Sequence, residues 1–284
     1  MHSTSIAEFE VGRPVEGVYA VVAKRRMHNR NGDPYLALEL SDSTGRIAAR
    51  VWQNAEHFDR AVHTGDTVVA TGKPVRFRDE VQLDVRRLQR VDTPEDQAFV
   101  PVASRDLGEL AGELDFLVSD ITDADLGAVV NGVWNGPHRE QLLRAAATAA
   151  EHHAYIGGLV EHTVSVATIC LAAADRHEHL NRELLLGAAL LHDIGRAREV
   201  DVADQLAVPE DAALYGHVLL GHEWLLEVAG NARELAWWPQ LIHAVTMHHG
   251  PLDRCRTREA LTLASANALD VRLSGSRLSA PTAK

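Results

Sequence analysis

Residues 184–196 read LLLGAALLHDIGR. The first eight have no polar side, and a helix that is apolar all round is one buried on every side within a larger helical body. The stretch therefore predicts a helical domain with this segment at its centre. It ends on His192 and Asp193 side by side, followed by Gly195 and Arg196, so two metal-competent side chains sit where a buried helix holds them rigid. Two ligands alone hold no ion, and the rest of the chain must supply others. Of the 16 histidines, eleven lie between His152 and His249. His162, His222, His248 and His249 fall on different predicted helices or helix ends, and with His192 and Asp193 they form the candidate ligand set. Histidine nitrogens with one carboxylate suit Mn²⁺, Fe²⁺, Co²⁺ or Zn²⁺ better than Mg²⁺. His217 and His243 match no ligand position and are expected to be structural.

Outward from this centre, the pattern predicts helices over 159–174, 182–196, 215–228, 239–249 and 257–273. A loop with two glycines covers 152–158, a polar loop covers 203–213, and the tail 274–284 is expected to be disordered. Residues 91–106 carry two prolines and no period. Helices are expected at 107–117, 123–134 and 139–150. The whole of 92–150 reads as a linker and helical bridge without evident chemistry.

Residues 13–91 change period. Strands at 15–23, 35–40, 46–52, 67–71, 75–78 and 81–91 are separated by turn signals, with a short helix at 53–63. With 67–71 and 75–78 counted as one strand, three strands, a helix and two strands is the order of an OB-fold barrel. The fold class is thus an N-terminal all-β OB-fold barrel (1–91) and a C-terminal all-α domain (151–273). Leu36, Leu38 and Leu40 share one face. With Ile47, Ala49 and Val51 inward, Arg46, Arg50 and Trp52 point out, and by the same rule so do Tyr35, Arg76, Arg78 and Arg86. Aromatics among arginines on a barrel surface suit stacked bases and tracked phosphates, so single-stranded nucleic acid is the expected partner.

Charge divides the same way. The 284-residue chain carries a net charge of −12, which at first argues against nucleic acid. Residues 1–91, however, hold 14 basic against 12 acidic residues, and the remainder 14 against 28. Such asymmetry points to two domains with different tasks. No apolar run approaches the ~18 residues of a membrane span, and the start MHSTSIAEFEVG lacks a signal pattern. A cytoplasmic protein with no membrane partner is expected. Cys170 and Cys255 are the only cysteines and are expected to be free thiols.

The motifs EHHAYIGGLVEHT, LLHDIGRARE, LLGHEWLL and TMHHG resemble those of the HD-domain metal-dependent phosphohydrolases. The pieces NGDPYLALELSDSTGRIAARVW and GDTVVATGKPVRF resemble OB-fold nucleic-acid-binding domains. In that order, over residues 10–272, the chain resembles the YhaM-type 3′–5′ exoribonucleases. The resemblance implies a centre of two divalent transition-metal ions, Mn²⁺ foremost. His162, His192 and Asp193 would hold the first ion, with Asp193 bridging, and His222, His248 and His249 the second. Arg196 stands where the family has lysine after HDIG and would grip a phosphate in bidentate fashion. His153 and Tyr155 either line the substrate path or pack against Gly157-Gly158. The family closes the first ion's shell with an aspartate on the last helix, where this chain has Asn267. Asp270, three residues on, lies on roughly the same face.

The implied activity is removal of nucleoside monophosphates from the 3′ end of single-stranded RNA, with DNA also open. Two alternatives stand beside it. One is an HD phosphohydrolase of small nucleotides. The other is a single-strand-binding protein whose HD domain is degenerate, the reading that Asn267 favours. The oligomeric state is left open, a homo-oligomer included.

Overall fold

The alternating stretches at 35–40 and 46–52 become neighbouring strands of a closed barrel. The computed structural model describes residues 3–29, 31–78, 80–91, 99–202 and 206–274. The first unit contains β1 (Val15–His28), β2 (Pro34–Asp42), β3 (Gly45–Val51), α1 (Ala55–Ala61), β4 (Thr67–Phe77) and β5 (Glu80–Val91). The strands close in the order β1-β2-β3-β5-β4, antiparallel except for the parallel pair β3 and β5. This is the OB arrangement that the strand order predicts. Leu36, Leu38, Leu40, Ile47, Ala49 and Val51 fill the interior with Val68, Ala70, Leu83 and Val85. β1 is long enough to serve two partners, β4 with its first half and β2 with its second. An irregularity between Val21 and Ala23 marks where it bends around the barrel. At Gly72 a Cβ would stand 2.5 Å from the Asp84 carbonyl oxygen, so only glycine lets β4 approach β5 there.

The second unit begins after Val102. It comprises α2 (Leu107–Ser119), α3 (Ala124–Trp134), α4 (Arg139–Arg144), α5 (Gly158–Ala174), α6 (Arg182–Leu191), α7 (Arg196–Glu199), the short paired strands β6 (Asp201–Val202) and β7 (Leu206–Ala207), α8 (Glu210–Val228), α9 (Trp238–Met247) and α10 (Arg258–Ser274). Residues 184–191 of α6 are all buried, as their composition requires. Asn181 caps its first turn by accepting from the Leu184 N–H, and the Trp134 indole donates to the Leu190 carbonyl near its end (2.8 Å).

Residues 103–150 belong to the second unit. Residues 92–98 lie outside the described residues, while α2, α3 and α4 share the core of α6 through Leu110, Leu114, Val130, Trp134 and Leu142. Each of these helices has one apolar stripe, which must find a partner. The helix expected at 139–150 stops at Arg144 despite its alanines. Backbone bonds to the next loop win over helix propensity: Leu159 N–H donates to the Ala145 carbonyl (3.0 Å) and Ala147 N–H to that of His153 (3.2 Å). The polar loop expected at 203–213 is in part helical, since α8 starts at Glu210. Of the tail, residues 275–284 lie outside the described residues. Among those described, no helix is long and apolar enough to cross a membrane. Cys170 and Cys255 are both free, and burial pushes the Cys170 thiol up to about 12.

Candidate metal centre and nucleic-acid face

The chain end of α6 puts His192 at its C-cap, and the backbone then turns through Asp193 and Gly195 into α7. The turn is tight because α8 lies against it. A Cβ on Gly195 would stand 1.9 Å from the His217 carbonyl oxygen and 2.5 Å from the Gly221 nitrogen. Asp193 is buried, and neither carboxylate oxygen has a hydrogen-bond partner among the described residues. Its two oxygens face different imidazoles. Oδ2 lies 3.6 Å from His162 Nε2 and 3.8 Å from His192 Nε2. Oδ1 lies 3.3 Å from His217 Nε2 and 3.2 Å from His248 Nε2. Ligand atoms converge in two sets that share Asp193: His162 and His192 on one side, His217, His248 and His249 on the other.

Hydrogen bonds at the far side of each ring determine what faces Asp193. His192 Nδ1 is 2.8 Å from the Ala189 carbonyl and His248 Nδ1 is 2.5 Å from that of Val245. A carbonyl only accepts, so each Nδ1 carries the hydrogen and each Nε2 presents a lone pair. His162 Nδ1 is likewise 2.7 Å from Asp270 Oδ2. His162 Nε2 and His192 Nε2 lie 3.2 Å apart, and with each ring carrying its hydrogen on Nδ1 alone a shared cation satisfies both nitrogens. Burial pushes His192 well below the ordinary histidine range, and burial with the neighbouring His248 takes His249 down to about 3, so both rings are neutral near pH 7. Burial opposes ionisation of Asp193, yet His192, His248 and Arg196 hold it well below the usual carboxylate range. Imidazole nitrogens, an ionised carboxylate and orphaned buried oxygens are a donor set that fits divalent transition ions.

The structure brings together most of the residues expected here and changes one. His162, His192, Asp193, His248 and His249 converge; His222 joins no such cluster among the described residues, and His217, read as structural, takes its place. The reason is Gly216, whose φ of 72° and ψ of 154° break α8. His217 then starts a new helical segment, anchored by its N–H donating to Glu199 Oε1 (3.1 Å). A glycine just before a histidine inside a helical pattern was the available signal. Glu199 also accepts from Arg196 Nη1 (2.6 Å), so one edge of that guanidinium is already engaged, and its Nε lies 3.7 Å from Asp193 Oδ1. Burial raises Glu199, but His217 and Arg196 bring it down to about 2.

Asn267 lies beside the second set. Its amide donates to the His248 carbonyl (3.3 Å) and is 3.4 Å from His249 Nδ1, while its Oδ1 is buried without a partner among the described residues. Asp270 is fully committed elsewhere. It bonds His162 Nδ1, His153 Nε2 (3.0 Å) and the Ser165 hydroxyl, which orients His162 and leaves no oxygen to replace Asn267. The chain of contacts continues from His153 Nδ1 to the Tyr155 hydroxyl (2.6 Å), which donates to Glu161 Oε2 (2.7 Å). Asn267→Asp adds a charge at a neutral oxygen, and since affinity follows ligand charge count, divalent-ion affinity is expected to rise at least about tenfold. Metal analysis after dialysis, beside the unaltered protein, checks this; equal retention in both would show that the amide costs nothing.

On the barrel, Tyr35 and Trp52 form an aromatic pair with centroids 4.6 Å apart. Arg25, Ala37, Arg50, Asp84 and Lys73 stand in one row across the outer face by strand register. Arg76, Arg78 and Arg86 are exposed. Arg46 is different: its side chain is largely buried, 3.6 Å from Glu39, and Arg50 donates to the Ala49 carbonyl (2.9 Å). In β4 the outward parity belongs to Lys73, Val75 and Phe77, with Pro74 inward. Arg76 is exposed because the β4–β5 hairpin runs on past the strands that pair with it. Phe77, 58% exposed with the Arg78 guanidinium 5.5 Å from its ring centroid, was missed for the same reason of parity.

The fold and site together define a two-part chain, an OB barrel followed by an HD domain. Residues 159–272 match the HD domain family and residues 18–91 the OB-fold nucleic acid binding domain family. The chain is similar over most of its length to proteins named 3′-5′ exoribonuclease YhaM. That of Listeria welshimeri is 26% identical over 253 residues, 86% of this chain and 79% of the relative. That of Bacillus subtilis is 25% identical over 249 residues, 85% and 78%. That of Oceanobacillus iheyensis is 27% identical over 252 residues, 86% and 78%.

Proposed function

We propose that the protein is a metal-dependent 3′–5′ exonuclease that removes nucleoside monophosphates from single-stranded RNA, with single-stranded DNA as a second substrate. The observation that carries this reading is Asp193, with each carboxylate oxygen turned toward a separate group of imidazoles. His162, His192 and Asp193 would hold one ion, and Asp193, His217, His248 and His249 another, with Mn²⁺ the first candidate. Such ions, when bound, acidify water and neutralise charge on phosphate oxygens. The chain's own groups do the rest. Ala189, Val245 and Asp270 keep His192, His248 and His162 in the tautomer that points a lone pair inward. Arg196 is held by Glu199 beside Asp193, with its remaining edge available to a phosphate oxygen. In hydrolysis water oxygen bonds to phosphorus, the P–O3′ bond breaks, and the 3′ oxygen takes up a proton. Tyr35 and Trp52 stack bases, and the exposed arginines of the barrel follow the backbone. The name borne by the similar proteins supports the same direction of attack.

The test is a 5′-labelled single-stranded oligonucleotide incubated with protein and Mn²⁺. A ladder shortening from the 3′ end is expected, abolished by chelator. No shortening with any divalent ion overturns the reading. Base stacking is worth about 1–3 kcal/mol per base, so Trp52→Ala is expected to weaken oligonucleotide binding about 5- to 100-fold and to leave metal content unchanged. Titration of a labelled oligonucleotide measures it, and unaltered affinity removes this face from the proposal.

A further inference from the structure

Beside the centre lies a histidine whose two ring nitrogens no group among the described residues engages. His152 is 95% buried, and neither ring nitrogen has a hydrogen-bond partner among the described residues. Its neighbour His153 spends both nitrogens, on Tyr155 and Asp270. The loop that carries the pair is firmly held. The Thr148 hydroxyl donates to the His152 carbonyl (2.8 Å), and Ala147 and Tyr155 N–H groups both donate to that of His153. His153 adopts a left-handed φ of 46°, a conformation kept only where the surroundings enforce it. The His152 ring packs 5.3 Å, centroid to centroid, from that of His162. It belongs to none of the converging ligand sets, so the geometry does not make it a metal ligand. A buried imidazole with no bond to the fold is costly unless a ligand completes it. An imidazole always carries at least one ring N–H to give.

We infer that His152 is a direct substrate contact, donating one ring N–H to a non-bridging oxygen of the phosphate group that sits beside His162. This rests on the phosphodiesterase reading above. It assigns the buried imidazole to the phosphate and leaves the ions to their own ligands. Because the contact is made to a non-bridging oxygen, which monoester product and inorganic phosphate also present, it serves them as well as the diester.

The experiment uses the full chain loaded with Mn²⁺, with inorganic phosphate as the probe by calorimetry, and compares wild type with His152→Leu and His152→Gln. Wild type is expected to bind phosphate. His152→Leu is expected to bind it about 10- to 100-fold more weakly, the effect of one lost hydrogen bond to a charged group. Mn²⁺ content stays that of wild type. His152→Gln, which retains an N–H donor, recovers part of the affinity. The metal-free leucine variant melts at or above wild type, because a buried unsatisfied polar group has been removed. Phosphate affinity within twofold of wild type in both variants overturns the assignment. So does a parallel loss of Mn²⁺, which would make His152 a ligand, or a large fall in melting temperature, which would make it structural. Wild type that takes up Mn²⁺ and shortens oligonucleotides but binds no phosphate also overturns it. Wild type that does neither removes the functional reading itself, whatever the variants do.

Discussion

Asp193→Asn is expected to abolish metal retention and reduce oligonucleotide hydrolysis on the order of 10³-fold while leaving the protein folded. Charge stabilisation by bound ions is worth several kcal/mol, and about 1.4 kcal/mol is a factor of ten in rate. The substitution is nearly isosteric, so packing is kept. What changes is the chemistry of two oxygens, each within 3.2–3.8 Å of imidazole nitrogens. An amide removes the charge and turns an N–H₂ group toward one of the two sets. Neither Asp193 carboxylate oxygen has a hydrogen-bond partner among the described residues, so the amide breaks no side-chain hydrogen bond of the fold. In the metal-free state the variant is expected to melt somewhat below wild type, since His192, His248 and Arg196 favour the ionised carboxylate and the amide forgoes that attraction. The ion should separate the two: at a concentration 100 times its Kd it stabilises a protein by about 2.7 kcal/mol, and only wild type should show that shift. Thermal melts with and without Mn²⁺, metal analysis and the ladder assay read the three effects. Hydrolysis at the wild-type rate, or an equal Mn²⁺ shift in the variant, would remove Asp193 from the centre of the site.

The two periods in the chain were legible because each is enforced by burial. Residues 35–52 alternate because one face of β2 and β3 lines a barrel, and 184–191 are apolar throughout because α6 is surrounded. Parity failed where strands outrun their partners: at Arg76 and Phe77 β4 and β5 pair only with each other among the described residues, so no further strand defines an inside. The helices within 92–150 read as a bridge because they carry no evident chemistry. Their apolar stripes are instead part of the core that holds α6. Arg46 illustrates a limit of another kind. Alternation gives the face of a residue but not its partner, and the partner is Glu39 on the adjacent strand, which with burial lowers its use as a phosphate contact. Within the centre, motif order found His162, His192, Asp193, His248 and His249, since each stands at the end or on the inner face of a helix that periodicity defines. Tautomers were out of reach, because they depend on carbonyls and on Asp270, which is more than 100 positions from His162 in the chain.

The sharpest consequence of the structure is that two histidines on one helix should behave oppositely. His217→Ala is expected to lower metal affinity and turnover at least on the order of 10²-fold, the upper range seen when even a partner of a ligand is lost. His222→Ala should change both by no more than about two- to threefold, as surface substitutions away from a site do. Periodicity cannot separate them, since a continuous helix would allow either to face Asp193. Gly216 does. Its backbone at φ 72° and ψ 154° restarts the helix at His217, whose N–H is fixed by Glu199 and whose Nε2 comes within 3.3 Å of Asp193 Oδ1 and 3.4 Å of His248 Nε2. Gly195 completes the arrangement by letting the two backbones touch at the His217 carbonyl, where any side chain would push α8 away. His222 lies five residues on, half-buried and outside both ligand sets. Metal analysis and the ladder assay on the two variants decide between them. A damaging His222→Ala beside a harmless His217→Ala would mean that α8 turns in the metal-bound protein. Loss in the His217 variant alone ties the second set of ligands to a helix break rather than to a helical repeat.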